Sequence, residues 1–463
     1  MNLFNETTRN LLWFGMDVKV RALFEALFAL EDLRQVLRET TPHYRLNGEQ
    51  RLRVSEAVRR VREALTVLEE WRDGDVQPIQ IAPGIPVRTV EEEYVSVQPI
   101  QRGGVLPAEA RKALTAYCDG YSVCDYCLPP FRLDRIRKPN LMELHRELAE
   151  FLGMDEARLF PGARRCFQAV MSSLVKPGDT VLVDSLSHYT VYLAAEQAGA
   201  RVVEVPNTGY PEYRIDPEAY GGRADEVERE TGRPPVLAVL SHVDYKVGNL
   251  HDAKRVSETL RDRGIPLLLN CAYTAGVMPV DGRELGADFI AASGHKSFAS
   301  PAPSGILAVR EEWADKVFRE SRFEEGKEVE LLGCTLMGGV SVAMMASLPH
   351  VKERVGRWPE EVEKARWLVS QLERIGRSRQ LGVKPKQHTL ICMEFPDFHE
   401  VSKSHRRRGY FLYEELRKRG VFGLQPGLTR RVKLNTYGLS WSQVRHVAEA
   451  FKDVAEKYGI PVS

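Results

Sequence analysis

Short, continuous apolar runs recur along the middle of the chain, and segments with helical periodicity separate them. The runs, all between about residues 105 and 345, are VLVD (181–184), VVEVP (202–206), VLAVL (236–240), PLLLN (266–270), FIAAS (289–293) and GILAV (305–309). Such runs indicate strands that are buried on both faces, and helices between them are typical of parallel connections. We therefore predict a large α/β domain over residues 105–345 with a mainly parallel central sheet.

Residues 1–75 show two apolar series at helical spacing. The first contains Leu23, Leu27, Leu30 and Leu37, and the second contains Leu52, Val54, Val58, Val61, Leu65, Leu68 and Trp71. Pro42 and Gly48 lie between the two series and are typical of a turn. We predict a helical hairpin as an N-terminal extension. Two helices alone bury too little to be stable, so this hairpin must pack on another surface.

The other two segments differ from these patterns. Residues 76–104 begin with a high density of proline and glycine, which is typical of a linker. After about residue 345 a helical pattern is followed by mixed helices and strands. We predict a smaller C-terminal α+β domain over residues 346–463.

Composition and charge restrict the classes of partner. The chain has 463 residues and a formal net charge of +1, so a polyanion must bind through local patches rather than through the overall charge. No apolar run reaches the length of a membrane span, and polar residues interrupt the first segment where a signal peptide needs an apolar stretch. We expect a cytoplasmic protein with no membrane partner.

Lys296 is the first candidate for chemistry. It lies just after the predicted strand FIAAS, and therefore at the carboxyl edge of the sheet, where open α/β sheets bind ligands. Its small neighbours Ser293, Gly294 and Ser297 allow a ligand to approach the backbone closely. A lone lysine after a strand is more often a solvated loop residue, so the interpretation depends on further residues.

Three further features support a site at this edge. The turn at PGARRCFQAV (161–170) opens a helix whose backbone N–H groups suit a phosphate, and Arg164 adds a charged donor. His188 follows the strand VLVD, where its ring either stacks on a heteroaromatic ring or starts a helix. Asn270 ends the strand PLLLN, 26 residues before Lys296.

This order of strand, polar residue and then a strand followed by SGHK resembles the pyridoxal-phosphate enzymes of fold type I, the aminotransferase-like α/β fold. The resemblance implies that Lys296 holds pyridoxal phosphate covalently. Enzymes of this group generally have an aspartate where this chain has Asn270. An asparagine only hydrogen-bonds to the pyridine nitrogen, which weakens the electron sink and favours β-elimination over transamination.

Seven cysteines are an odd number in a long, apparently cytosolic chain, so we expect no disulfide framework. We expect Cys118, Cys166, Cys271 and Cys392 to be small buried apolar residues. Cys124 and Cys127 form a C-x-x-C, and Cys334 lies in a glycine-rich segment. Three such thiols either carry a persulfide or bind an iron–sulfur cluster, while an incidental pair is the alternative.

With these residues together, about residues 95–463 resemble the Sep-tRNA:Cys-tRNA synthase family. The motifs that carry the resemblance are QRGGVLPAEARKAL, DGYSVCDYC, PGAR, SHYT, GADFIAASGHKS, ELLGCT and PGLTRRVKLNTYGLS. The resemblance implies contacts to pyridoxal phosphate from Lys296, Ala163, Arg164, His188, Asn270, Ser293, His295 and Thr335. It also implies catalytic roles for Cys124, Cys127 and Cys334, through a persulfide or as ligands of an iron–sulfur cluster. The N-terminal hairpin lies outside the matched region.

The resemblance implies conversion of O-phosphoseryl-tRNA(Cys) to cysteinyl-tRNA(Cys), by β-elimination of phosphate and addition of sulfur. The implied partners are tRNA(Cys) carrying phosphoserine, phosphoseryl-tRNA synthetase and a second copy of the chain in a homodimer. We expect the hairpin to dock onto the synthetase or its complex, the alternative being that it only caps the dimer.

Several basic residues are candidates for phosphate binding. They are Arg132, Arg135, Arg137, Lys138, Arg430, Arg431 and the run 405–408. We favour Arg430 as the partner of the leaving phosphate, whereas an exposed basic turn is the default interpretation of 405–408. Two other functions stay open: a cysteine desulfurase or selenocysteine lyase on the same fold, and a non-catalytic tRNA-binding scaffold.

Overall fold

A computed structural model describes residues 18–40, 45–69, 94–117, 141–332 and 336–463, with the backbone alone for 122–123 and 336–337. The chain divides into two compact units, Met1–Thr89 and Val90–Ser463. In the described ranges, no helix is long and apolar enough to cross a membrane. The predicted domain boundaries inside the second unit stay predictions.

The first unit contains two helices, α1 (Val18–Glu39) and α2 (Gly48–Glu69). Asn47 starts α2, since its Oδ1 accepts the backbone N–H of Gln50 at 2.8 Å while Gln50 Oε1 accepts the N–H of Asn47 at 3.0 Å. Arg60 connects the helices through ion pairs with Glu25 and Asp32.

The leucines of α1 whose spacing predicted a helix lie on its exposed side. Small residues are buried instead, namely Ala22, Ala26, Ala29, Val36, Ala57 and Ala64. Leu23, Leu27, Leu30 and Leu37 are 42–55% exposed. Alanines allow a close approach of the two helices, which turns the larger leucines outward. The first unit therefore carries an exposed row of leucines.

The second unit is built from the following elements. The helices are α3 (Ala108–Ala116), α4 (Leu141–Phe151), α5 (Ala163–Leu174), α6 (Tyr189–Gln197), α7 (Pro217–Thr231), α8 (Ala253–Arg261), α9 (Gly282–Leu285), α10 (Gly294–Ser297), α11 (Glu311–Val317), α12 (Gly338–Arg354), α13 (Trp358–Leu372), α14 (Pro396–Ser404), α15 (Tyr410–Lys418) and α16 (Trp441–Lys457). The strands are β1 (Val95–Ser96), β2 (Ser122–Val123), β3 (Glu156–Phe160), β4 (Thr180–Asp184), β5 (Arg201–Val205), β6 (Leu237–Ser241), β7 (Leu267–Asn270), β8 (Phe289–Ser293), β9 (Gly305–Val309), β10 (Leu336–Met337), β11 (Arg379–Leu381), β12 (Leu390–Glu394), β13 (Val421–Phe422) and β14 (Arg431–Asn435).

The central sheet has the strand order β3-β9-β8-β7-β6-β4-β5. Strands β5, β4, β6, β7 and β8 are parallel, and β9 is antiparallel to its neighbours β8 and β3. The prediction of a mainly parallel α/β sheet is confirmed. Each predicted apolar run forms a strand, whereas β3 was not predicted.

The core lies on both faces of this sheet. Along β4, Val181 and Val183 pack on one side and Leu182 on the other, as the period of two in a strand requires. Complete burial of each such side chain contributes roughly 1.5–3 kcal/mol. The prediction that both faces are buried is wrong for β5, because it is the edge strand and Arg201 and Glu204 are exposed.

The C-terminal part has its own antiparallel sheet, β11-β12-β14. Its apolar face packs with α13 and α16 in a separate core that includes Leu368, Ile391 and Phe451. Strand β1, from the segment predicted as a linker, pairs in parallel with β13. Residues 95–96 are thus tied to the C-terminal part of the chain.

A glycine pair holds the turn of α10 in place. The 3-10 turn Arg102–Gly104 packs against α10, and a Cβ on Gly104 would lie 2.0 Å from the carbonyl oxygen of His295. The carbonyl of Gly103 accepts the N–H of Ala299 at 2.9 Å and the Arg354 guanidinium at 2.9 Å. Only a residue without a side chain fits this contact.

We predict that Gly104→Ala destabilises the protein, since the added methyl group must displace backbone. Overpacking of this kind costs about 1–3 kcal/mol, which lowers the unfolding temperature by several degrees. Calorimetry on the variant and on Gly222→Ala measures the effect; Gly222 lies in α7 with no atom within 4 Å of an added Cβ. Equal unfolding temperatures for the two variants would contradict the close contact at Gly104.

Candidate active site

A cavity of about 640 Å³ opens at the carboxyl edge of the central sheet. Strands β6, β7 and β8 end at it with Ser241, Asn270 and Ser293. Parallel strands bring the loops that follow them to the same edge, and ligands of open α/β sheets bind there. Seven of the predicted site residues line this one cavity: Ala163, Arg164, His188, Asn270, Ser293, His295 and Lys296.

Lys296 lies in the short helix α10, directly after β8, and is half-buried rather than fully solvated. Its Nζ is 4.9 Å from the centroid of the Tyr273 ring. Burial, together with the positive charges of Arg164 and Lys433, lowers the pKa of Lys296 to about 8. A substantial fraction of this amine is therefore neutral near physiological pH, as a nucleophile or proton acceptor must be.

The turn between β3 and α5 forms a cradle for an anion. Gly162 precedes α5 with φ of 98°, and no side chain caps the first turn of the helix. The free backbone N–H groups and the positive end of the 12-residue helix face the cavity. Gly305 of β9 packs on this turn, since a Cβ there would be 2.5 Å from the carbonyl carbon of Gly162.

Two arginines follow this turn, and their side chains point in different directions. Arg164 lines the cavity. Arg165 points away, with its guanidinium hydrogen-bonded to the backbone and side chain of Glu330. Arg164 is thus the charged donor available to an anion at the start of α5.

His188 starts helix α6, as one of the two interpretations predicted, and it also lines the cavity, while stacking on a bound ring stays a prediction. Its Nδ1 is 2.9 Å from Thr190 Oγ1, and its ring centroid is 5.0 Å from that of Tyr245. Burial and the charges of Lys296 and Arg164 lower the pKa of His188 to about 4. The imidazole is therefore neutral, and a neutral ring is suited to stacking rather than to ion pairing.

A buried carboxylate holds the loop that carries His188. Asp184, the last residue of β4, accepts hydrogen bonds from the hydroxyl of Ser187 at 2.6 Å and from the N–H of Ser241 at 2.8 Å. Its other oxygen accepts the N–H of Leu186 at 3.0 Å. Asp184 therefore connects the ends of β4 and β6 beneath the site.

The side-chain amide of Asn270 has a fixed orientation. Its Oδ1 accepts the backbone N–H of Ala272 at 3.1 Å, so Nδ2 is the atom left to point into the cavity. An N–H donor at this place hydrogen-bonds to an unprotonated ring nitrogen. A carboxylate in the same position would favour the protonated nitrogen instead.

Three residues at this site were not predicted from the sequence. They are Tyr245, Tyr273 and Lys433, which lie in separate segments of the chain. Tyr273 and Tyr245 line the cavity. Lys433, from β14, donates a hydrogen bond from Nζ to the carbonyl of Tyr245 at 3.0 Å. The signal for Tyr245 was its position shortly after the end of β6, whereas nothing in the segment VKLN distinguishes Lys433 from an ordinary strand residue.

Arg430, predicted to hold the substrate phosphate, does not line this cavity. It lines a second pocket in the C-terminal part of the chain, and its Nε is 3.5 Å from Glu394. Its neighbour Arg431 lines that second pocket as well. The cavity beside Lys296 receives its extra cation from Lys433 instead.

Other predicted residues lie outside the described part of the chain. These are Cys124, Cys127, Cys334, Thr335 and the basic residues Arg132, Arg135, Arg137 and Lys138. Among the residues that are described, no cluster of three metal-binding side chains occurs. The persulfide and iron–sulfur hypotheses therefore stay predictions.

Three of the remaining cysteines are buried and free, as predicted, while Cys118 lies outside the described residues. Burial raises the pKa of Cys271 to about 12 and that of Cys392 to about 11. The pKa of the Cys166 thiol is raised further still by the same cause. These thiols stay protonated at neutral pH and are unsuited to sulfur transfer.

The cavity fits pyridoxal phosphate in each of its parts. The uncapped start of α5 and Arg164 suit the phosphate, the neutral His188 ring suits the face of the pyridine, and Asn270 Nδ2 suits the ring nitrogen. Lys296, partly deprotonated, suits the aldehyde.

Comparison with known proteins identifies similar sequences over most of the chain. Residues 165–461 match the family model described as O-phosphoseryl-tRNA(Sec) selenium transferase, SepSecS. A protein of Methanopyrus kandleri, O-phospho-L-seryl-tRNA:Cys-tRNA synthase, is 54% identical over 81% of this chain and 98% of its own length. O-phospho-L-seryl-tRNA:Cys-tRNA synthase 1 of Methanococcoides burtonii is 47% identical over 95% of this chain and 97% of its own length.

Solved structures confirm the predicted fold type I architecture. A complex of SepCysS with the SepCysE N-terminal domain contains a chain that is 47% identical, with a TM-score of 0.74 over 80% of this chain and 96% of that chain. A cysteine desulfurase from Thermococcus onnurineus has a TM-score of 0.63 over 80% of this chain and 96% of its own, at 17% identity. At that identity the second likeness shows the fold alone.

We predict that covalent trapping of pyridoxal phosphate by borohydride occurs at Lys296 with a midpoint near pH 8, since the amine must lose its proton to react. Lys433→Gln removes a neighbouring positive charge, which raises the pKa of Lys296 and shifts the midpoint to higher pH. Mass spectrometry of the labelled peptide over a pH series measures both values. Lys352→Gln is the control, since Lys352 pairs with Glu147 on the surface. The same shift in both variants would contradict the role of Lys433.

Proposed function

Since the chain belongs to the family of O-phospho-L-seryl-tRNA:Cys-tRNA synthases, we propose that it converts O-phospho-L-seryl-tRNA(Cys) to L-cysteinyl-tRNA(Cys) with pyridoxal phosphate as its cofactor. The observation that carries the proposal is the partly neutral Lys296 in a cavity that Arg164 lines, with Lys433 close enough to lower the pKa of Lys296. Both the cofactor and the phosphoseryl group bring negative charge to this cavity.

Each residue contributes a defined part of the reaction. Pyridoxal phosphate, when bound, withdraws electrons from the substrate's α-carbon. Lys296 removes the α-proton, and the phosphate group then leaves the β-carbon with the electron pair of the C–O bond. Arg164 and Lys433 stabilise the phosphate charges, and the tyrosines at positions 245 and 273 exclude water from one side of the cavity.

Asn270 favours elimination over amino-group transfer. Nδ2 would hold the ring nitrogen of bound pyridoxal phosphate by a hydrogen bond that favours its unprotonated form, and such a ring would withdraw electrons less strongly than a pyridinium does. A carbanion at the α-carbon is then short-lived, and rapid departure of phosphate from the neighbouring carbon is the reaction that tolerates this. The rival function of a desulfurase needs no phosphate-binding cations beside the cofactor.

Sulfur reaches the β-carbon through the three cysteines Cys124, Cys127 and Cys334. After phosphate has left, the terminal sulfur of a cysteine persulfide adds to the β-carbon of the resulting dehydroalanyl group. A second thiol of the three then attacks the S–S bond, which releases the cysteinyl thiolate and leaves a disulfide between two of the cysteines. Sulfide attacks this disulfide and restores one persulfide and one thiol. An iron–sulfur cluster on the same three thiols is the second way in which they deliver sulfur. Both versions require these thiols to act at the cavity.

The partners follow from the substrate and from the family. The substrate is tRNA(Cys) carrying phosphoserine, and a homodimer in the cytoplasm is the expected form of the enzyme. The 47% identical structure was solved together with a second protein, which supports the proposal that this chain also works in an assembly. The exposed leucines of α1 suit docking onto phosphoseryl-tRNA synthetase or its complex.

We predict that the purified protein converts phosphoseryl-tRNA to cysteinyl-tRNA when sulfide is supplied, and that Lys296→Ala does not. Identification of the amino acid released from the tRNA checks the product. Free cysteine should yield no sulfide or alanine. Production of alanine from cysteine, with phosphoseryl-tRNA unchanged, would establish the desulfurase instead.

Removal of one catalytic thiol should separate sulfur delivery from elimination. Cys334→Ala is expected to release phosphate from phosphoseryl-tRNA while forming at least tenfold less cysteinyl-tRNA with a physiological sulfur donor. The control is Cys166→Ala, which removes a buried, protonated thiol. Full product formation by Cys334→Ala would remove this cysteine from the mechanism.

Deletion of residues 1–75 tests the proposed role of the hairpin. We expect the truncated protein to retain conversion of phosphoseryl-tRNA but to lose binding to phosphoseryl-tRNA synthetase in a pull-down. The matched full-length variant replaces Leu23, Leu27 and Leu30 by serine, which removes the exposed leucines and keeps the helix. Unchanged binding by both proteins would end the proposal.

A further inference from the structure

A second pocket lies in the C-terminal part of the chain, apart from the cavity of Lys296. We call it the arginine pocket. Its lining includes Arg408, Arg430 and Arg431, together with Gly409 and Gly427. Its volume is about 510 Å³, large enough for a phosphate group with an attached sugar. The tertiary fold brings together two basic segments, 405–408 and 430–431, that are separate in the sequence.

Close backbone packing builds this pocket. A Cβ on Gly409 would lie 2.2 Å from the carbonyl oxygen of Gly427, so the two loops touch through their main chains. Arg408, next to this contact, has φ of 47°, a left-handed conformation that residues with a side chain rarely adopt. The fold thus holds an arginine in a strained position at the rim of the pocket.

The charges of the pocket are only partly neutralised. The buried carboxylate of Glu394 lies 3.5 Å from Arg430 and 3.3 Å from Arg379. In the described part of the chain, the guanidinium groups of Arg408 and Arg431 form no ion pair or hydrogen bond. Two exposed cations therefore remain available to an anion.

An exposed aromatic ring lies beside the pocket. Tyr210 is 48% exposed, and its ring is 6.0 Å from the guanidinium of Arg431 and 5.8 Å from that of Arg379. Its hydroxyl donates a hydrogen bond to Glu394 at 2.7 Å, which fixes the ring. Positive grooves with a fixed aromatic ring are the usual surface for single-stranded nucleic acid, because every base stacks on such a ring.

Strand β14 connects this surface to the cavity of Lys296. Arg431 and Lys433 are two residues apart on β14, so their side chains share one face and lie roughly 6–7 Å apart along the strand. Arg431 faces Tyr210, while Lys433 donates to the carbonyl of Tyr245, which lines the cavity. A row of cations thus leads from the arginine pocket to the candidate active site.

We propose that the arginine pocket and the Tyr210 ring bind the unpaired 3′ strand of the RNA substrate: Arg408 and Arg431 contact its phosphates, and a base stacks on Tyr210. The inference rests on the proposed function, since it concerns how a nucleic acid that carries the reacting amino acid reaches Lys296. The strand then runs along β14, with its aminoacyl end beside Lys433.

Charge removal tests the phosphate contacts. The double variant Arg408→Gln/Arg431→Gln should bind uncharged tRNA on the order of tenfold more weakly at physiological salt. The slope of log Kd against log salt should fall by roughly 0.7 for each lost phosphate contact, the value for single strands. The control is Arg406→Gln, an arginine of the same basic run that does not line the pocket. Equal effects of the control and the double variant would overturn the assignment.

Ring removal tests the stacking contact independently. Tyr210→Leu should raise the KM for phosphoseryl-tRNA at least fivefold with an unchanged salt slope, since a stacked base contributes about 1–3 kcal/mol. Tyr210→Phe retains the ring and loses only the hydroxyl, so its KM should match that of the wild type. Equal losses in both variants would show that the Glu394 hydrogen bond, and not stacking, is responsible.

The outcomes separate this inference from the proposed function. If the wild-type protein converts phosphoseryl-tRNA and the pocket variants do so with unchanged KM, the inference is wrong and the function stands. If the wild-type protein does not convert phosphoseryl-tRNA at all, the proposed function fails first. Trapping of pyridoxal phosphate at Lys296 should be equal in all variants, which shows that each is folded.

Discussion

The position of Lys296 depends on main-chain packing around one short turn. Gly103 and Gly104 lie against the backbone of His295 and Lys296, at distances that admit no side chain. Buried Arg354 donates hydrogen bonds to the carbonyls of Gly103, Gly276 and Ser297, so it connects three separate segments beneath the lysine. A guanidinium group suits this arrangement because its donors form a rigid fork and it keeps its charge when buried. The reactive amine thus sits on a turn whose backbone is fixed from several sides.

The charged side chains described at the cavity are all positive. Lys296, Arg164 and Lys433 converge at the carboxyl edge of the sheet, and no carboxylate among the described residues lines the cavity. The same convergence lowers the pKa of the lysine and attracts anionic groups, so nucleophile activation and anion binding have a common cause. The buried Asp184 lies beneath the loops and supports them through hydrogen bonds rather than facing a ligand.

The sequence pattern predicted the sheet well because continuous apolar runs and parallel strands share one cause, burial on both faces. It missed β3, whose residues EARLF alternate polar and apolar and resemble a helix end. The hairpin was predicted without its internal packing face, since a pattern of leucines carries no information about the small alanines that permit close approach. His188 and Asn270 were predicted as site residues because each lies at or shortly after the end of a predicted strand. Lys433 was not, because only the tertiary fold brings β14 to the cavity.

The protonated state of the buried thiols has a practical consequence for chemical labelling. Seven cysteines occur in the chain, and those at positions 166, 271 and 392 are inaccessible and lack thiolate character at neutral pH. Mild alkylation of the native protein therefore does not modify these three cysteines. A thiol-alkylating reagent that modifies cysteine in the folded protein therefore reacts at one of the other four cysteines. The three buried thiols add no background to such a labelling assay.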